Sequence, residues 1–83
     1  MELASNIRNF IIENFLFGED NNLKEETSFL ESGIIDSTGI LELVSYLEET
    51  FGISVEDEEL VPENLDSIAN VVAYLGKKKI RQD

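Results

Sequence analysis

Eighty-three residues allow one small domain, whose single core supplies only a few kcal/mol of net stability. Six basic residues against eighteen acidic ones give a formal charge of −12, a surface that repels nucleic acid and anionic membranes and favours partners with Lys/Arg patches. Neither cysteine nor histidine occurs, which excludes disulfides and thiolate metal sites and removes the commonest general base and zinc ligand.

The first periodic block, from about Glu2 to Phe17, places Leu3, Ile7, Phe10, Ile11 and Phe15 near a helical repeat of three and four. Ile12 and Leu16 widen that stripe, as suits a helix packed on two neighbours, and Gly18 is its expected stop. From Glu19 to Asp36 the chain reads as a long loop. Asp20, Asn22 and Lys24 invite comparison with a calcium-binding EF-hand, but Lys24 stands at a ligand position and Glu25 replaces the required glycine, so no metal is expected. Thr27 or Ser28 is placed to cap a short turn, with Phe29 and Leu30 anchoring the loop to the core. Loops of this length are uncommon in small domains and often carry function.

A second helix is predicted over Ser37–Thr50. Ile40, Leu43, Val44, Leu47 and Phe51 share its inner face, Leu41 lies to the side, and Glu42, Ser45, Glu48 and Glu49 are expected to meet solvent. Gly52 ends it. Ile53-Ser54-Val55 reads as an extended link with both apolar side chains buried. Glu56 to Leu60 forms a brief third helix stopped near Pro62, and Asp66 or Ser67 caps a last helix bearing Ile68, Val71, Val72 and Leu75, with Tyr74 beside them. Lys77, Lys78, Lys79 and Arg81 complement the final helix dipole and continue into a solvated tail. The hydrophobic share of 42% falls in periodic blocks, which argues for a folded chain rather than a disordered acidic one. No apolar run approaches the roughly 20 residues needed to span a bilayer. Met1-Glu2-Leu3-Ala4 lacks a positively charged secretory start, so a cytoplasmic protein is the expectation.

The chemistry-bearing stretch is Gly33-Ile34-Ile35-Asp36-Ser37-Thr38, where a loop closes and the second helix begins. Asp36 can accept an orphan N–H at the helix head, and Ser37 then falls in the first turn with its hydroxyl outward. An ester phosphate on that hydroxyl would sit at the positive end of the helix dipole. An isolated Asp-Ser pair does no more than start a helix.

The flanks carry more. Phe29-Leu30-Glu31-Ser32-Gly33-Ile34-Ile35-Asp36-Ser37, then Leu43-Val44, Leu47-Glu48-Glu49, Phe51-Gly52-Ile53, Asp57-Glu58-Glu59 and Asn64-Leu65-Asp66-Ser67-Ile68, closely resemble the acyl carrier proteins, small helical shuttles of fatty-acid, polyketide and related pathways. The resemblance runs from about Ile7 to Leu75. It implies an all-α four-helix bundle, three longer helices and one short, forming a single carrier domain over 1–83 with its core at about 3–76 and a polar basic tail at 77–83. It also implies 4′-phosphopantetheine, delivered from coenzyme A by a phosphopantetheinyl transferase onto Ser37 beside Asp36, whose terminal thiol carries cargo as a thioester. Acidic side chains on the second helix of such carriers meet Arg and Lys of partner enzymes; Glu42, Glu48 and Glu49 match those positions, and the short third helix with Glu56 and Asp57 adds to the docking surface. Partners would be acyl- or aminoacyl-activating and transfer enzymes, met by a monomer.

No catalysis is expected of the chain itself, since serine needs an adjacent base and no histidine is present to activate Ser37. Two positions depart from fatty-acid carriers. Thr38 stands where leucine usually offers an apolar partner contact, and Gly39 stands where a polar or acidic residue is common, weakening the helix start by roughly 0.5–1 kcal/mol relative to alanine. Ile34-Ile35-Asp36 also lacks the Gly-Gly element of peptidyl carriers. A dedicated carrier for a specialised acyl or aminoacyl group therefore stands beside the fatty-acid system as an expectation. Phe10, Phe15, Phe29 and Phe51 filling interior space would favour short cargo. The competing class is an unmodified acidic helical adaptor or inhibitor of a basic partner.

Overall fold

The computed structural model describes residues 3–19 and 23–78. Over these the chain is all-α, with α1 at Leu3–Phe15, α2 at Phe29–Ser32, α3 at Gly39–Phe51, α4 at Pro62–Leu65 and α5 at Ile68–Lys77; a 3₁₀ turn at Asp57–Glu59 precedes α4. The three long helices are those the periodicity predicts. Their inner stripes meet in one core: Ile7 and Ile11 from α1, Leu43 and Leu47 from α3, and Ile68, Val71 and Leu75 from α5 are all fully buried. Burying such a side chain stabilises by about 1.5–3 kcal/mol, which makes this triple contact the main determinant of the architecture.

Some local expectations change and one is met. The brief helix expected over Glu56–Leu60 contracts to the 3₁₀ turn, and Pro62 opens α4 instead of ending its predecessor, because a proline at the first helical position gives up no hydrogen bond. The short turn expected in the loop before Asp36 is the helical turn α2, and of the two candidate caps it is Ser28 that serves, its Oγ accepting the Glu31 N–H at 3.1 Å. In that turn Phe29 is fully buried while Leu30 is exposed, so Phe29 alone anchors it to the core. Ile53 and Val55 are half-buried, not buried.

Helix α1 ends through two consecutive left-handed residues, Phe17 at φ 55° and Gly18 at φ 88°, with the Gly18 N–H donating back to the Ile12 carbonyl at 2.9 Å. The stop falls where glycine predicts it, but the turn begins one residue earlier, on an exposed phenylalanine. Beyond it, Arg8 Nη1 donates to the Leu23 carbonyl at 2.7 Å, and the Ala69 N–H donates to the Glu25 carbonyl at 2.9 Å. These contacts lay residues 23–28 against α1 and α5. Asp20 and Asn22 of the EF-hand comparison, and Lys79 and Arg81 of the tail, lie outside the described residues.

Candidate functional site

Gly33 closes α2 in the left-handed conformation at φ 79°, which reverses the chain so that Ile35 enters the core. The Ile35 N–H donates to the Phe29 carbonyl at 3.2 Å and fixes that reversal. Asp36 then does what its position predicts: its Oδ1 accepts the Gly39 N–H at 2.7 Å, and its carbonyl accepts the Ile40 N–H at 3.0 Å. The predicted start at Ser37 moves to Gly39, leaving Ser37 and Thr38 as an exposed turn on the head of a 13-residue helix. The Ser37 hydroxyl is thereby presented at the positive end of the α3 dipole.

Gly39 is buried, and its role differs from the sequence expectation. A methyl group at its Cα would lie 2.9 Å from Phe15 Cε1 and 3.0 Å from Ile35 Cγ2. Glycine here lets the first turn of α3 close against α1, so the space it leaves outweighs its poor helix propensity.

Beside Ser37 a cavity of about 180 Å³ opens into the bundle. Leu30 of α2 and Ile40 of α3 form one wall; Leu60, Val61, Pro62 and Leu65 form the other, with Asp66 at the rim. The four phenylalanines expected to limit cargo do not line it. Phe29 packs in the core, and Phe10 and Phe15 belong to an aromatic cluster on the α1 side, so the cavity is lined by aliphatic side chains instead.

Two polar clusters hold these walls. Asp66, considered as a cap for the last helix, instead caps α2: its Oδ1 accepts the Leu30 N–H at 2.9 Å, its Oδ2 accepts the Ser28 hydroxyl, and its carbonyl accepts the Phe29 N–H at 2.7 Å. Ser67 caps α5 by accepting the Asn70 N–H at 3.1 Å. On the other wall, Glu59 Oε1 accepts the Glu56 N–H at 3.0 Å, the Tyr74 hydroxyl at 2.9 Å and Lys78 Nζ at 3.0 Å. The Glu56 N–H, Lys78 and Tyr74 together hold the Glu59 carboxyl down to about 2, while burial and then Glu59 push the Tyr74 hydroxyl up. Lys77 closes α5, and Lys78 joins the fold instead of a free tail. Sequence reasoning missed the Glu59 cluster because its members lie 15 and 19 positions apart. The Ser28–Asp66 tie was half visible, since Ser28-Phe29-Leu30-Glu31 has the spacing of a capping box.

The expected docking residues divide. Thr38, Glu42, Glu49, Glu56 and Asp57 are exposed. Glu48 is half-buried rather than solvent-facing, and its Oε2 accepts the Val55 N–H at 2.8 Å. Glu42 and Glu49, seven positions apart, border a groove between α1 and α3. Among the described residues no group of three acidic side chains is placed to hold a metal ion, and no helix is long and apolar enough to cross a membrane.

Residues 16–75 match the family model described as "Phosphopantetheine attachment site". The probable acyl carrier protein PigG of Serratia sp. (strain ATCC 39006) is 32% identical over 77 residues, covering 93% of this chain and 88% of that protein. The acyl carrier protein of Helicobacter hepaticus is 34% identical over 95% of this chain and 100% of its own length, and that of Akkermansia muciniphila is 37% identical over 90% of each. A chain from a structure titled "Crystal structure of FAD-dependent dehydrogenase" superposes with a TM-score of 0.74 at 28% identity, covering 83% of this chain and 97% of that one. The prosthetic group these matches imply is covalent 4′-phosphopantetheine, and an exposed hydroxyl at a helix N-terminus beside an apolar cavity fits it. By the attachment-site match across most of its length and by these relatives, the chain belongs to the acyl carrier protein family.

Proposed function

We propose that Ser37 is the attachment point, and that the chain shuttles acyl or aminoacyl intermediates between biosynthetic enzymes without catalysing a reaction itself. The observation that carries this reading is the Ser37 hydroxyl, exposed on the head of α3 and lining the apolar cavity. In the loading step the Ser37 oxygen forms a bond to the phosphorus of coenzyme A bearing the pantetheine arm. That oxygen gives its proton to a base on the transferase, and adenosine 3′,5′-bisphosphate leaves. The group, once bound, supplies a thiol that holds cargo as a thioester. Asp36 keeps the attachment turn in place through the Gly39 N–H, and the α3 dipole favours the new phosphodiester charge.

Leu30, Ile40, Leu60, Val61 and Leu65 give cargo an apolar shelter. A cavity of about 180 Å³ is close in size to an engineered protein cavity of about 150 Å³ that takes benzene, which favours a short chain or a small ring over a long fatty chain. Thr38, Glu42, Glu49, Glu56 and Asp57 would meet basic patches on the transferase and on activating and transfer enzymes. Exposed ion pairs of this kind speed encounter and add modest lasting affinity, as a shuttle requires. The structural likeness adds a FAD-dependent dehydrogenase to the candidate partners. One carrier domain, cytoplasmic and monomeric, completes the reading.

Intact mass after incubation with coenzyme A, magnesium and a broad-specificity phosphopantetheinyl transferase tests it. One added phosphopantetheine, absent in Ser37→Ala, is the expected result; an unchanged mass would return the chain to the class of unmodified acidic adaptors. Loading then tests the cargo size. The melting temperature should rise with a short acyl group and gain little more with a long one, whereas a large further rise would contradict the small cavity.

A further inference from the structure

The wall of the Ser37 cavity formed by Leu60, Val61, Pro62 and Leu65 is held at its two ends by different means. Leu65 is buried and fixes the α4 end in the core, and the Pro62 carbonyl accepts Asn70 Nδ2 at 3.2 Å. At the other end no side chain of Asp57–Glu59 is buried, and Leu60 and Val61 are half-buried. This end is held by Glu59, whose Oε1 accepts the Tyr74 hydroxyl at 2.9 Å and Lys78 Nζ at 3.0 Å from α5. Between the two ends Leu60 is the centre of an inverse γ-turn, at φ −81° and ψ 67°, with the Val61 N–H donating to the Glu59 carbonyl at 2.9 Å. Loop residues between two anchored blocks are where a wall of this kind bends.

We propose that Glu59, Tyr74 and Lys78 set the longest acyl group the cavity shelters, by holding Leu60 and Val61 against it. They touch no cargo and act through the wall, so they are positioning residues. The inference rests on the carrier reading above and adds the residues that impose a limit on cargo length. Leu60 follows Glu59 directly, so an outward swing of Leu60 and Val61 draws the Glu59 carboxylate off α5. That movement strands the hydroxyl of buried Tyr74, and an unsatisfied buried donor is costly. The Lys78 ion pair adds less, because the Lys78 and Glu59 side chains are 22% and 27% exposed and salt screens them. A short group fits within about 180 Å³ with the wall in place. Each further methylene gains by burial only if the wall moves, so shelter stops growing until that gain exceeds the loss of the Glu59 ties.

The test loads the full chain at Ser37 with butyryl or dodecanoyl phosphopantetheine, using the acyl-coenzyme A and a broad-specificity transferase, and measures the rise in melting temperature over the form with a free thiol. The parent should gain with butyryl and little more with dodecanoyl. Tyr74→Phe keeps the ring and removes the hydroxyl, and its dodecanoyl form should rise a further ~4 °C or more. Lys78→Gln, at the solvent edge, should show a smaller further rise, and Lys78→Arg should behave as the parent. Raised salt should increase the dodecanoyl gain of the parent and leave that of Lys78→Gln unchanged. A ¹³C-labelled terminal methyl of the dodecanoyl group should show nuclear Overhauser contacts to Leu60 and Val61 in Tyr74→Phe and none in the parent. Parallel chain-length profiles in the parent and both Tyr74→Phe and Lys78→Gln would overturn the inference. If Tyr74→Phe fails to fold, the profile and salt response of Lys78→Gln decide it. Intact mass after transfer separates the two failures: no added group on the parent sinks the carrier reading and the inference with it, whereas loading followed by parallel profiles sinks the inference alone.

Discussion

The two connections that flank α3 build the walls of the same cavity by different means. The first, from Leu16 to Thr38, is held mainly through its backbone: Leu23, Glu25 and Phe29 offer carbonyls or an N–H to Arg8, Ala69 and Asp66. The second, from Gly52 to Ser67, also offers backbone groups, the Val55 N–H to Glu48 and the Pro62 carbonyl to Asn70, but adds a charged side chain of its own, Glu59, bonded to Tyr74 and Lys78. The Ala69–Glu25 bond joins two backbone groups and survives most substitutions, whereas the ties made by Arg8, Glu48, Glu59 and Asn70 each depend on a single side chain. Asp66 belongs to both connections, because it sits in the second and caps the helical turn of the first. The cavity wall is thus a composite whose parts differ in how readily they open.

The largest effect should come from cutting that shared residue. Asp66→Ala removes the acceptor for the Leu30 N–H and the Ser28 hydroxyl, and hydrogen bonds to a charged group contribute about 1.5–3 kcal/mol. We expect a loss of about 2 kcal/mol in urea unfolding, together with faster hydrogen exchange at Leu30 and Glu31. Exchange at Glu59 and Leu60 should stay slow if the two connections open separately. Loosening of both together would show that they behave as one unit.

The next effect distinguishes the entrance of α3 from its exit. Gly39 is glycine for want of space, whereas Gly52 has open space around it and a left-handed backbone at φ 68°. Gly39→Ala gains about 1 kcal/mol of helix propensity, but overpacking against Phe15 and Ile35 costs about 1–3 kcal/mol. A net loss of about 1 kcal/mol is expected, with chemical-shift changes at Phe15. Gly52→Asn should be nearly neutral, because asparagine tolerates the left-handed region. A stabilised Gly39→Ala protein would restore the propensity argument and remove the packing one.

That contrast also marks where the sequence was legible. The three long helices follow from apolar repeats, and the Asp36 cap and the exposed Ser37 follow from residue type and order, because each depends on neighbours within a few positions. Gly39 misled because propensity is local and crowding is not: Phe15 lies 24 positions earlier in the chain. Glu48 misled for a related reason, since a carboxylate off the apolar face of a helix can still bend to an N–H in the next segment. Phe17 carries a left-handed turn where glycine was the natural candidate, and no pattern in the sequence marks it.

The smallest effect concerns the second connection alone and appears as a dependence on pH. Glu59 titrates near 2 in the folded chain, against an ordinary value of 4.5, because the Glu56 N–H, Lys78 and Tyr74 favour its charged form. A depressed folded value stabilises above the unfolded one and loses that contribution as pH falls through the folded one. Glu59→Gln should therefore melt below the parent chain at pH 7, and the gap should narrow between pH 4.5 and about 2 as the parent's carboxylate takes up its proton. Glu59→Gln should also lose the salt dependence contributed by Lys78, whose ion pair is partly open to solvent. A melting gap that stays constant from pH 7 to pH 2 would mean that the Glu59 carboxylate is not what fastens the 3₁₀ turn to α5, and the second connection would then owe its hold to Asn64 and Asn70.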